Sequence, residues 1–581
     1  MTRSRLRSDP LFEGPRNSYA NRFAWTQDLI GIDRMRSESP NASHHVDRQR
    51  VILTYIKENL MTHLTRRHLI AGSALAGTSL LTATANAKAI DPMPQQWDET
   101  VDVLVVGSGF AGLAAACQAA EDGAKVLVVE KMRTPGGNSI INGGIVGIPG
   151  TPMQKKMGIT DSPALLAEDI IREGGGLNNP EKVKLMAERA YDTWQWTVEK
   201  LGVEYIEERV SAEGGHSVPR CAVIKNGSGS GIVMKQLDYA KKLGVEVRLR
   251  TYVDEIIRDA DGRVKGLKVY PNYSFPKAPT GKPRYIRARR AVVLCHGGFG
   301  ADVTYRLKFD PKLTARFDTT NQPGATSELW RESSRIGCNL IQSDWIQCGP
   351  WTSPEEKGMG IALFFAQATA ACLGVWVNCT TGKRFINELA NRKVRADAII
   401  DAGNKDQRCI ALAPQWAVDM TIKVTRPGLL EKMLERNVVH KFDTLEAVAQ
   451  TYHIPLATLR QTLKDYNDDL ANAKPDATGK ALDRVGRYFY PKARPLNEAE
   501  GPWYVSIMSP KVHHTMGGIE TGLDGHAIDV KTDKPIPGLF AAGESTGGVH
   551  GAVRLGSCAT LDCLVNGRIA GAAAAKETPW V

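Results

Sequence analysis

Residues 101–106, Val-Asp-Val-Leu-Val-Val, are β-branched or apolar apart from one acid, the pattern of a parallel strand buried on both faces. Gly107-Ser108-Gly109-Phe110-Ala111-Gly112 follows at once, and an alanine-rich stretch after it predicts a helix. A second run, Lys125 to Val129, predicts the next strand and ends in Glu130, eighteen residues beyond Gly112. Near the other end, Gly538-Leu539-Phe540-Ala541-Ala542-Gly543-Glu544 again reads as a strand entering a glycine turn, about 430 residues later. Two such signatures so far apart imply one domain interrupted by an insertion. Leu456, Leu459, Leu463 and Tyr466 recur at helical spacing between them, so the insertion is a folded unit and not a linker.

Strand, glycine turn, helix, strand and acid in this order form a dinucleotide fingerprint. Gly107 permits the tight turn, Gly109 lets backbone approach a pyrophosphate, and Gly112 lets the helix pack on the strand. Phe110 and Ala111 open that helix, whose N-terminus faces the phosphates. Glu130 is placed to accept hydrogen bonds from a ribose, and Lys131 follows it. Next come Gly136-Gly137-Asn138-Ser139 and Asn142-Gly143-Gly144, two flexible loops whose backbone can lie against a flavin. This points to FAD rather than NAD.

At 581 residues the chain is long enough for more than one core, and 42% apolar with 24% charged residues describes a soluble globular protein. The net charge of +11 needs locating before it is used. Residues 88–581 hold 62 basic against 56 acidic residues, so much of the excess lies upstream. With no basic run interleaved with aromatics, nucleic-acid binding is not expected, although a mild positive field would draw an anionic substrate or an acidic redox partner. None of the ten cysteines forms a C-x-x-C pair or a C-x-x-C-H haem site, so any haem must sit on another protein. Cys558 and Cys563 read as two small core side chains.

Residues 61–87 begin with Met61, carry the twin arginine Arg66-Arg67, and run through a short apolar stretch to Ala85-Asn86-Ala87. That is the layout of a twin-arginine export signal with its cleavage site, and the stretch is too short to anchor in a bilayer. The expectation is a periplasmic protein exported already folded, without a stable membrane span. Residues 1–60 are polar and unpatterned, and the reading is that translation starts at Met61, leaving 1–60 as a non-structural upstream segment.

From about residue 98 onward the chain resembles the fumarate reductase and flavocytochrome c flavoprotein family. The resemblance rests on GSGFAGLAAA, EKMRTPGGNS, GGFG at 297–300, GKRFINE at 382–388, HHTMGG at 513–518 and AAGESTGGVHGAVRLG at 541–556. It implies an α/β fold: a doubly wound, Rossmann-like FAD domain of residues 98–343 and 515–581, interrupted by an α+β clamp of residues 344–514 that closes over the flavin. It implies hydride transfer from flavin N5 and a proton from Arg392, the arginine after the R-F-x-N-E motif. His514, with His513 beside it, and Arg554 would hold the substrate carboxylate. Glu544 and the stretch Ser557-Cys558-Ala559 would border the cofactor.

Departures from the family pattern narrow the substrate. Where the family has Q-x-H-P, this chain has Gln347-Cys348-Gly349-Pro350, and the family's T-E-x-x-R stretch, which supplies a threonine and a Glu/Arg proton relay, aligns with Ala366-Gln367-Ala368-Thr369-Ala370. A second carboxylate would be desolvated there without partners. The expectation is a roomier apolar distal pocket formed by Cys348, Gly349, Ala366 and Ala370 near Trp345 and Trp351. The substrate would be an α,β-unsaturated monocarboxylate or an aryl acrylate rather than fumarate, with electrons from a separate cytochrome c or quinol-linked donor. Two other departures, His296 before GGFG and Gly556-Ser557-Cys558 in place of G-G-N, fall near the flavin. A dehydrogenase of ketosteroid-like substrates and a non-catalytic electron carrier stay open as alternatives.

Overall fold

The β-branched runs from the two ends of the sequence meet in one eight-stranded sheet. In the computed structural model, which describes residues 92–211, 213–472, 475–480 and 493–581, the Glu99–Val106 strand lies inside this sheet. It runs parallel to Arg284–Leu294 on one side and to Val126–Val129 on the other. Pro535–Ala541 and Glu246–Arg248 continue the parallel order outward, and antiparallel His526–Ile528 ends it. A hairpin of Tyr252–Arg258 and Val264–Tyr270 branches from Arg284–Leu294. Val103 and Val105 point into one core while Val101, Leu104 and Val106 point into another, so both faces of the strand are dry. The upstream segment and the twin-arginine stretch lie outside the described residues. Among the described residues no helix is long and apolar enough to cross a membrane.

Two helices fix the glycine turn in place. Phe110–Glu121 leaves it directly, and the C-terminal helix Cys558–Lys576 crosses that helix at bare backbone. A Cβ at Gly567 would lie 2.5 Å from the Ala111 carbonyl oxygen, and one at Gly571 2.2 Å from that of Ala115. Alanine at 571 would gain up to about 1 kcal/mol in helix propensity, but a contact this short with backbone forces the helices apart. Gly571→Ala is therefore expected to cost about 1–3 kcal/mol net and to lower the melting temperature. An unchanged melting temperature in a thermal scan would show that the crossing relaxes freely.

The inserted chain builds a second sheet, antiparallel throughout, in the order Lys383–Arg384, Val375–Asn378, Cys409–Pro414, Trp503–Ile507, His440–Phe442. Each face has its own core, one around Trp376 and Tyr504 and the other around Leu412 and Trp503. The helix Leu456–Ala471 lays Leu459, Leu463 and Tyr466 on the second face, as their spacing predicts. Ile346–Thr352 pairs antiparallel with Ser509–Thr515, so the outgoing and returning chain run side by side.

Candidate active site

A cavity of about 540 Å³ opens where the glycine turn, the Ser509–Thr515 strand and the inserted unit meet. A narrower one of about 110 Å³ follows the turn itself, and Phe110, Asn138, Ser139, Glu544 and Cys563 line both. The narrow cavity has the walls the fingerprint requires. A Cβ at Gly107, whose φ is +100°, would sit 2.3 Å from the Cys295 carbonyl oxygen, and one at Gly112 would sit 1.9 Å from that of Gly107. Gly107, Gly109, Phe110 and Ala111 line this cavity, whereas Gly112 is spent on packing. Glu130 is buried at its edge, accepting from Ser108 N at 3.1 Å, Ser108 Oγ at 2.8 Å and Met132 N at 2.9 Å. Lys131 donates to Thr326 Oγ1 at 2.5 Å and pairs with Glu328 at 3.2 Å.

The flavin loops are held just as locally. Ser139 Oγ accepts from Phe110 N at 3.0 Å, capping the helix start, and Asn138 donates to Asn321 while accepting from Gln322 N at 2.9 Å. Asn142 Oδ1 accepts from Gly144 N at 2.6 Å, which turns Gly144 away while Asn142 and Gly143 face the larger cavity. Gly137 faces the narrow one, and Gly543, at φ +72°, packs against Ala111. Ser557 and Ala559 line the larger cavity, but the Cys558 side chain is fully buried in the core and its N–H bonds to Leu555 O. Cys563, read from sequence as a core residue, instead reaches both cavities. His296 lines the narrow cavity with neither ring nitrogen hydrogen-bonded, and burial pushes its pKa down to about 3. A long dinucleotide with polar edges fits these walls, bare backbone and unpartnered ring nitrogens.

Arg392, His514 and Arg554 converge on the larger cavity. Arg392 begins the Arg392–Gly403 helix, capped by the Asn391 side chain. Arg554 is buried, donates through Nη1 to Leu555 O at 3.0 Å, leaves Nε unpartnered, and has its backbone N–H held by Gln347 Oε1 at 3.0 Å. Burial, reinforced by Arg392, pushes the Arg554 guanidinium down to about 9. His513 and His514 are both held well below the usual histidine range, by burial first and the neighbouring guanidiniums second, so both rings are neutral. His513 Nδ1 meets Thr320 Oγ1 at 2.7 Å. His514 Nδ1 lies 3.3 Å from Glu544 Oε1 and its Nε2 has no partner. Burial raises Glu544 to about 7, so near neutrality a proton on that carboxyl leaves the His514 Nε2–H free to donate into the cavity.

The distal wall differs from the sequence expectation. Ala366 and Ala370 are buried in the core of the inserted unit and do not line the cavity, nor do Cys348 and Trp345. The Phe365–Ala370 segment is a π-helical turn, and its wider winding brings Gln367 and Ala368 to the cavity instead. Gly349 does line it, together with Met359, Leu363, Phe364 and Ile422. Sequence reasoning also missed Arg209, Arg395, Arg426 and Glu213, which line the same space. Arg426 is half-buried and stacks on Phe364 at 3.9 Å. Arg395 donates to Glu388 O at 3.0 Å, and burial pushes it down to about 10.

A family model described as an FAD binding domain matches residues 102–560. The acrylate reductase flavoprotein subunit of Shewanella woodyi is 37% identical, over 87% of this chain and 97% of that protein. The urocanate reductase of Eggerthella lenta is 32% identical, over 87% of this chain and 82% of that protein. Among solved structures, the open conformation of a flavocytochrome c3 fumarate reductase matches with a TM-score of 0.65 at 31% identity, covering 83% of this chain and 79% of that one.

Proposed function

The chain belongs to the fumarate reductase and flavocytochrome c flavoprotein family of FAD-dependent oxidoreductases, and on that premise we propose that it reduces the double bond of an α,β-unsaturated monocarboxylate or aryl acrylate. The observation that carries this reading is the convergence of Arg392, His514 and Arg554 on a cavity whose lining includes the apolar Met359, Leu363, Phe364 and Ile422. Two relatives bear the names acrylate reductase and urocanate reductase, which supports the same substrate class. A steroid needs no such cationic grip, so the ketosteroid alternative is disfavoured.

Bound and reduced FAD supplies the hydride, held by the glycine turn, Glu130 and the 136–144 loops. Arg554 and the His514 Nε2–H grip the substrate carboxylate, drawing electron density from the β-carbon. Arg392 gives a proton to the α-carbon from the opposite side. Residues 344–514 act as the clamp that excludes water from this step. Electrons arrive from a separate cytochrome c or quinol-linked donor, and the twin-arginine motif at Arg66-Arg67 supports a periplasmic reaction.

The test is anaerobic oxidation of reduced methyl viologen with fumarate, methacrylate and cinnamate. Methacrylate or cinnamate is expected to exceed fumarate in kcat/KM, because an apolar substituent gains about 25 cal/mol per Å² buried against the distal wall. Fumarate as the best of the three would overturn the monocarboxylate assignment.

A further inference from the structure

The stretch aligned with the family's proton relay has no acid, yet the protein must return a proton to Arg392 after each turnover. A carboxylate is present at this place, and it comes from outside the inserted unit. Glu213 lies just beyond the Tyr205–Ser211 strand, outside the inserted unit, with its side chain mostly buried. Its Oε2 is 3.4 Å from Arg392 Nη2 and accepts from Gln367 Nε2 at 3.0 Å. Gln367 stands where the resembled family carries the relay glutamate. An amide there cannot transfer protons, but it can orient the acid that does.

The local sequence is shaped around this acid. A Cβ at Gly556 would lie 2.1 Å from Glu213 Cβ, so glycine two residues after Arg554 makes the room. A Cβ at Gly214 would approach the Ala390 and Leu389 carbonyl oxygens at 3.3 Å, which seats the loop against the turn leading into Arg392. The same loop reaches solvent within two residues, where Gly215 O accepts from Arg172 Nη2 at 2.6 Å and the Arg172 side chain is half exposed. The other carboxylate lining the cavity, Glu544, lies against His514 and Thr515.

We propose that Glu213 is the relay carboxylate that reprotonates Arg392, a role transferred from the inserted unit to the FAD-binding side. The inference rests on the proposed reduction of an unsaturated acid. When Arg392 has given its proton to the substrate carbon it is a neutral guanidine. The Glu213 carboxylate then takes up a proton from solvent at the outer end of the loop, passes it to Arg392 Nη2, and is left as the carboxylate of the restored ion pair. The hydride comes from reduced flavin, so one hydride and one proton are consumed per double bond. Because donor and relay come from different units, the path is continuous only while the two units are in contact.

The experiment compares wild type with Glu213→Gln as FAD-loaded enzymes, using methacrylate. In a single turnover, dithionite-reduced enzyme carries the proton already on Arg392, so flavin reoxidation is expected to slow by no more than about 3-fold. Steady-state kcat with reduced methyl viologen is expected to fall about 100-fold or more, since each further cycle waits for reprotonation. An unchanged steady-state kcat overturns the proposal. So does an equal loss in both measurements, which would assign Glu213 to holding Arg392 in place. A wild type that no unsaturated acid reoxidises would instead count against the reductase reading itself.

Discussion

Arg392→Gln is expected to lower turnover of methacrylate by roughly 10³–10⁴-fold while the protein still purifies yellow, because the loss of a positioned general acid leaves cofactor binding untouched. Arg392 lines the larger cavity and not the narrow one around the glycine turn, so the walls that would hold the dinucleotide's phosphates and ribose stay in place. Single-turnover and steady-state rates should fall together, since no acid then faces the substrate. This joint loss separates the donor from the relay, whose replacement slows only repeated cycles. Stopped-flow reoxidation of the reduced variant checks it. Retention of a rate within about tenfold of wild type would mean that another group protonates the substrate.

Arg554→Lys is expected to reduce kcat/KM for any unsaturated acid by about 100-fold or more, although the substitution is formally charge-conserving. One effect is geometric, because an ammonium cannot make the two parallel hydrogen bonds of a guanidinium to a carboxylate. The other is electrostatic. Burial already brings the arginine down to about 9, and lysine starts some 2 units lower, so at this position about half of it would be discharged at neutral pH. The deficit should therefore shrink as pH falls and the ammonium forms. A deficit independent of pH between 6 and 8 would leave geometry as the whole explanation.

The fold was legible where a physical requirement is local. Gly107 and Gly112 can be read because a tight turn and a close helix contact exclude any Cβ, and the Val101–Val106 run because a strand with two dry faces cannot alternate. The site was legible only where a motif carries it. Arg209, Glu213 and Arg426 belong to no such motif and reach the cavity through tertiary folding. Ala366 and Ala370 were misplaced for a different reason: the π-helical turn changes which side chains share a face, and one-dimensional alignment assumes it does not. Glu213 shows the consequence, since the missing acid of the relay stretch has a counterpart about 150 residues earlier in the chain.

The sheet and cavity walls also bear on the timing of biosynthesis. Pro535–Ala541 is the strand beside Arg284–Leu294, and Glu544, Ser557, Ala559 and Cys563 complete walls begun by Gly107 to Ser139. A nascent chain that has emitted its fingerprint from the ribosome, and even the whole inserted unit, still lacks one side of the cofactor's berth. Cofactor capture is thereby expected only once the segment through Cys563 has emerged.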